Sequence, residues 1–97
     1  MTQRKPPAEQ RYRPRSLLSL SPTGFLLDNA NGESYTLNAV GRTIVAKLLE
    51  LGDSREVWRA VIDRFEVDET RAHKDVERFL ADLWTLGLLE RDERDRR

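Results

Sequence analysis

The sequence predicts an α+β fold, three short antiparallel strands followed by three helices, in the order βββααα. Three observations predict it. Turn signals at Pro22-Thr23-Gly24 and from Asp28 to Gly32 separate short apolar runs, as in a meander. From Val40 onward apolar residues recur three and four apart, the helical period. Each helical stretch also carries its own start or stop residue.

The first hairpin is predicted from "SLLSLS" and "GFLLD" around the turn, with Leu18 and Leu20 on one face of the first strand and Phe25 and Leu27 on one face of the second. Gly32 stands where a hairpin loop needs positive φ, and the third strand follows as "ESYTL", Glu33 to Leu37. Asn38 is an N-cap, since its side-chain oxygen can accept from a free amide of the first turn. The helix it opens carries Val40, Ile44, Val45, Leu48, Leu49 and Leu51 and ends at Gly52. Gly41, near its start, would let another element approach closely. Asp53 and Glu56 are spaced like a capping box, with Asp in place of Ser or Thr, for a second helix with Val57, Trp58, Val61, Ile62 and Phe65 on its face. Asp68 caps a third helix whose Ala72, Val76, Phe79, Leu80, Leu83 and Trp84 recur at helical spacing, and Gly87 closes it.

Ninety-seven residues make one small domain. The absence of cysteine excludes disulfides, thiol nucleophiles and thiolate metal sites, and fits a cytoplasmic protein. No apolar run approaches the ~20 residues that span a bilayer, and no apolar secretion signal opens the chain. Partitioned charge is more informative than the net of zero. In 1–16, Arg4, Lys5, Arg11, Arg13 and Arg15 face Glu9 alone, a net of +4. The tail "ERDERDRR" has four acids and four arginines, which leaves 8 basic and 12 acidic residues, a net of −4, in 17–89. Residues 1–15, with three prolines and almost nothing to bury, are expected to form a flexible basic arm, 16–89 the folded domain and 90–97 a charged flexible tail.

Enzymatic chemistry finds little support in these residues. The lone His73 has no second histidine or cysteine near it, so a metal site would need Asp75 or Glu77, and a surface histidine is the simpler reading. Ser54 is explained by a helix start, and no phosphate-binding glycine pattern occurs. No catalytic residue, metal site or cofactor is expected. Trp58, Phe65, Phe79 and Trp84 share helix faces with aliphatics and read as core, although Trp84 lies on a side rotated from the Ala72, Val76, Phe79, Leu83 line.

Three helices and a small sheet can form a winged helix, with the third helix reading DNA. That helix would need cations, and its Arg71, Lys74 and Arg78 are offset by Glu69, Asp75, Glu77 and Asp82. A DNA-binding transcriptional regulator is therefore the alternative reading, and nucleic acid is not expected as a partner. The third strand is the more informative feature. An edge strand is usually blunted by lysines, prolines or bulges, yet Glu33 is the only charge in "ESYTL" and there is no proline. It is either covered by another part of the chain or left open to accept a peptide strand.

The stretch Leu26 to Leu89 resembles the PqqD family of recognition elements for ribosomally synthesised, modified peptides. The resemblance lies in the glycine turn, "YTLN" before "VG..I...L..G", "V...I..RF.VD...A..DV..FL..L...GLL", and their order. It implies a winged-helix-like α+β fold and a peptide chaperone that binds the leader of a precursor by strand addition and presents it to a separate modifying enzyme, such as a radical SAM protein or a leader peptidase. By resemblance, Glu33, Ser34, Tyr35, Thr36 and Leu37 supply main-chain hydrogen bonds and one wall. His73, Lys74, Glu77, Arg78 and Ala81 are expected to face the groove from the third helix, with Val76 and Leu80 as its apolar floor. No membrane partner is expected. Use of the same edge to form a homodimer is a third reading.

Overall fold

The computed structural model describes residues 11–92. The elements are β1 (Tyr12–Pro14), β2 (Leu18–Leu20), β3 (Phe25–Asp28), β4 (Glu33–Thr36), α1 (Ala39–Leu51), α2 (Val57–Phe65), α3 (Glu69–Thr85) and β5 (Leu89–Arg91). The expected three-stranded antiparallel sheet is present in the order β2-β3-β4, and three helices follow it.

Both chain ends differ from the expectation. β1 falls within the arm expected to be loose, and it pairs antiparallel with β5, which takes in the start of the supposed tail. Arg15 N–H donates to Leu88 O at 3.0 Å and Asp92 N–H to Arg11 O at 2.9 Å, so the odd-numbered residues of this segment turn toward β5. Pro14, an even position, has no N–H, and its nitrogen faces away from the ladder, where a strand proline is tolerated. Tyr12, the other even position, turns its main chain toward Ser54. The Tyr12 N–H donates to Ser54 Oγ at 2.9 Å, and the Ser54 N–H returns a bond to Tyr12 O at 2.7 Å. Ser54 is therefore a buried clamp for β1 and not a helix start. Residues 1–10 and 93–97 of the expected arm and tail lie outside the described residues.

The register also settles which face of the meander turns inward. Opposed residues on paired strands share a face, and the register sets Leu20 against Leu26 and Leu26 against Tyr35. Leu26 is 1% exposed and fills the core, whereas Phe25 is 40% exposed on the outer face with Leu27. Tyr35 and Leu37 pack partly against the core from β4 and the segment after it.

The helices seal the sheet with Ile44, Val45 and Leu48 of α1, Val57 and Val61 of α2, and Ala72, Val76, Leu80 and Leu83 of α3. Asn38 Oδ1 accepts from Gly41 N at 2.7 Å, the cap expected of it. The capping box proposed for α2 does not form. Asp53 Oδ1 accepts from Arg55 N at 3.0 Å as a local turn, and Glu56, at φ 70°, pairs with Arg59 instead. Beyond α3, Gly87 N–H donates to Trp84 O and Leu88 N–H to Leu83 O, both at 3.0 Å. This closure swings Leu88 and Leu89 into the core and delivers β5 to β1.

Candidate functional site: an open sheet edge and the cleft beside it

The geometry of β4 follows from the hydrogen bonds of β3. Ser21 N–H donates to Phe25 O at 2.8 Å and Asn29 N–H to Leu17 O at 2.9 Å. Main-chain groups along a strand alternate sides, so Phe25, Leu27 and Asn29 bond toward β2, while Leu26 and Asp28 bond toward β4. Their partners there are Tyr35 and Glu33. Ser34 and Thr36 must then turn their N–H and C=O groups away from the sheet. Among the described residues, no strand pairs on that side of β4. Glu33, Ser34 and Thr36 are exposed, whereas all three residues of β2, the opposite edge, are half-buried. Thus only alternate residues of the predicted strand offer free main-chain groups, and Leu37 lies past its end.

Tyr35 gives the edge its inner wall. Its hydroxyl donates to Glu33 Oε1 at 3.5 Å. Partial desolvation of the ring, with Glu33 and Asp28 nearby, raises the phenol pKa above its ordinary value and keeps it a neutral donor.

Where β4 ends, a cleft of 330 Å³ opens between the first turn of α1 and one flank of α3. Asn38, Val40 and Gly41 line one side; Arg71, Asp75, Arg78, Phe79 and Asp82 line the other. Gly41 sets the width. A Cβ there would stand 2.9 Å from Phe79 Cε1, so only glycine allows this ring so close to α1. The close approach expected at Gly41 is made by Phe79.

The α3 residues expected in a groove divide among three directions. Arg78 lines the cleft. Lys74, Glu77, Arg78 and Ala81, with Arg71 and Asp75, border an open hollow of 650 Å³ on the outward face. Val76 and Leu80, 5% and 2% exposed, are buried in the core and do not line the cleft; Phe79 does. His73 turns toward α2, its ring centroid 4.4 Å from that of Trp58 and its Nε2 3.5 Å from Glu69. At ~100° per residue, His73 and Asp75 are about 200° apart around the helix. Periodicity defined the apolar face of α3 but not which flank met α1. The contact between Gly41 and Phe79 decides that, and it also brings in Asn38, Val40, Arg71, Asp75 and Asp82. Trp84 is 46% exposed and lies with its ring centroid 5.3 Å from that of Tyr12, so its rotated position serves the ribbon.

This arrangement offers main-chain donors and acceptors at an edge, an aromatic floor and alternating charges. Among the described residues, no group of three metal-ligating side chains comes together, and no helix is long and apolar enough to cross a membrane. The family described as coenzyme PQQ synthesis protein D, PqqD, matches residues 23–89. The chain belongs to the PqqD family. The PqqD match opens at the β2–β3 turn and closes at the first residue of β5, so it includes β4, the cleft and all of α3. The chain is also similar to a solved structure, a lasso peptide synthetase B1 complexed with the leader peptide, with a TM-score of 0.64 and 28% identity over 81% of this chain and 96% of that one. No curated protein matched it. β1 lies wholly outside the PqqD span.

Proposed function

We propose that this protein binds the leader segment of a ribosomally made precursor peptide as a fourth strand on β4 and delivers it to a separate modifying enzyme. The observation that carries this reading is the outward main chain of Ser34 and Thr36 on an exposed edge that ends at the cleft. Strand addition draws affinity from main-chain bonds and selectivity from pockets for alternate side chains. Here alternate residues of the leader would face Phe79 and the charges of Arg71, Asp75, Arg78 and Asp82. The leader peptide bound to the similar synthetase B1 supports the same class of ligand. The chain itself is a recognition element and needs no catalytic residue. A leader held beside an enzyme reaches an effective concentration on the order of mM when the tether is short.

Double-stranded DNA is a weaker match for α3. Its Arg71 already lies 3.5 Å from Asp75, and the net charge of −4 over 17–89 opposes phosphate binding. The test is a titration of the labelled protein with a synthetic candidate leader peptide. Amide shifts are expected at Ser34, Thr36, Arg78 and Phe79. Shifts confined to the β1–β5 ribbon, or tight binding to DNA with a steep salt dependence, would contradict the reading.

A further inference from the structure

A second concavity lies across α1 from the leader cleft. It has a volume of 540 Å³ and is formed by the β2–β3 turn, one side of α1 and the end of α2. Arg42 and Arg64 are its only charged lining residues, beside Ser21, Thr23 and Thr43, in a body that is net acidic. Arg13, Lys47, Arg59 and Arg71 each sit on a carboxylate, whereas Arg15, Arg55, Lys74, Arg78 and Arg91, like the two arginines here, show no ion pair among the described residues. Among the described residues, no hydrogen bond or ion pair engages the guanidinium of Arg42 or Arg64.

The fold also prepares a place for Arg42. Gly24, buried and at φ 92°, lies under its side chain, and a Cβ there would stand 2.6 Å from Arg42 Cδ and 3.3 Å from Nη1. The turn beneath is tied by its own hydroxyls. Phe25 N–H donates to Ser21 Oγ at 2.9 Å, and Ser21 Oγ lies 3.2 Å from Thr23 Oγ1. Thr43 Oγ1 donates to Ala39 O at 3.1 Å. The hydroxyls are therefore largely engaged in holding the site, and the guanidinium N–H groups remain to bind.

We propose that this concavity docks an acidic polypeptide segment of a partner protein, with glutamate or aspartate side chains received by Arg42 and Arg64. A guanidinium presents parallel N–H donors that match a carboxylate in two-point fashion. Two arginines in a lining with no acid favour such a segment over neutral or basic ones. A nucleic-acid backbone fits less well, because it needs a longer track of cations than two. The docking does not depend on leader binding at β4, since α1 separates the two surfaces.

The test titrates the full-length protein, labelled on backbone and arginine side chains, with a hexaglutamate peptide, inorganic phosphate and duplex DNA in turn. Hexaglutamate is expected to shift the Arg42 and Arg64 side-chain signals and the Gly24 amide saturably, and leave Ser34 and Thr36 unmoved. R42Q/R64Q, which keeps polar side chains at two helix-surface positions, is expected to weaken binding at least tenfold with an otherwise unchanged amide spectrum. No saturable shift with hexaglutamate, undiminished binding by R42Q/R64Q, or a stronger response to phosphate or DNA would overturn the proposal.

Discussion

Two margins of the sheet structure, β1 and β4, are finished differently. At β1 the outward main chain of Tyr12 is answered twice by Ser54, through its hydroxyl and its amide. At β4 the outward groups of Ser34 and Thr36 meet no strand among the described residues. Edges are usually blocked because free main-chain groups invite pairing with other chains. A protein that closes one margin with a buried serine and leaves the other exposed beside a cleft has a margin suited to a partner strand.

Substitutions break this comparison in graded ways. Tyr35→Pro should have the largest effect, because Tyr35 bonds inward to β3 and its ring packs on the core. We expect a loss of roughly 2–4 kcal/mol in urea unfolding, from one ladder bond and aromatic packing. Ser54→Ala should cost about 1–3 kcal/mol, since it leaves the buried Tyr12 N–H without its acceptor. Amide exchange should show that loss first as opening of the β1–β5 ribbon. Thr36→Pro removes an N–H that faces outward, so stability should change by only about 0.5–1 kcal/mol. Leader affinity, measured by calorimetry, should fall about tenfold or more from a lost main-chain bond and the bulk of the ring. A contrast between neighbouring prolines, one unfolding and one blocking binding, would locate the free face of the strand.

The smallest effect concerns pH. Desolvation, with Glu33 and Asp28 nearby, raises the Tyr35 phenol above its unfolded value of 10.0. Its contribution to stability is thus fully present below about pH 10 and is lost as pH rises through the folded value. Tyr35→Phe should flatten the fall in stability above pH 10, read from urea midpoints.

Much of this was legible in the residues. Asn38, Gly52 and Asp68 marked helix ends by local chemistry, and the period after Val40 gave the helices. Gly41 signalled a close approach without naming its partner. The ribbon was hidden because β1 and β5 are three residues each and pair across almost the whole chain, which leaves no local period to read. Pro14 argued for a loose arm until its side of the ladder was known. Alternation put Phe25 and Leu27 on one face of β3 but could not say which face is inner, because a shift of one residue exchanges the faces; the register that turns Leu26 inward is set by tertiary packing. The site was legible as a strand but not as a cleft. Which flank of α3 meets α1 depends on helix rotation, so spacing alone could not say whether the side of Arg71, Asp75, Phe79 and Asp82 or that of His73 faces α1.

The central claim is that β4 is completed by a leader strand, and amide hydrogen exchange with and without that leader tests it most directly. In the free protein, Tyr35 should be protected by β3 while Ser34 and Thr36 exchange quickly. On saturation with leader, Ser34 and Thr36 should become protected with little change at Tyr35. Ser34 and Thr36 that still exchange quickly in the saturated complex would contradict the account.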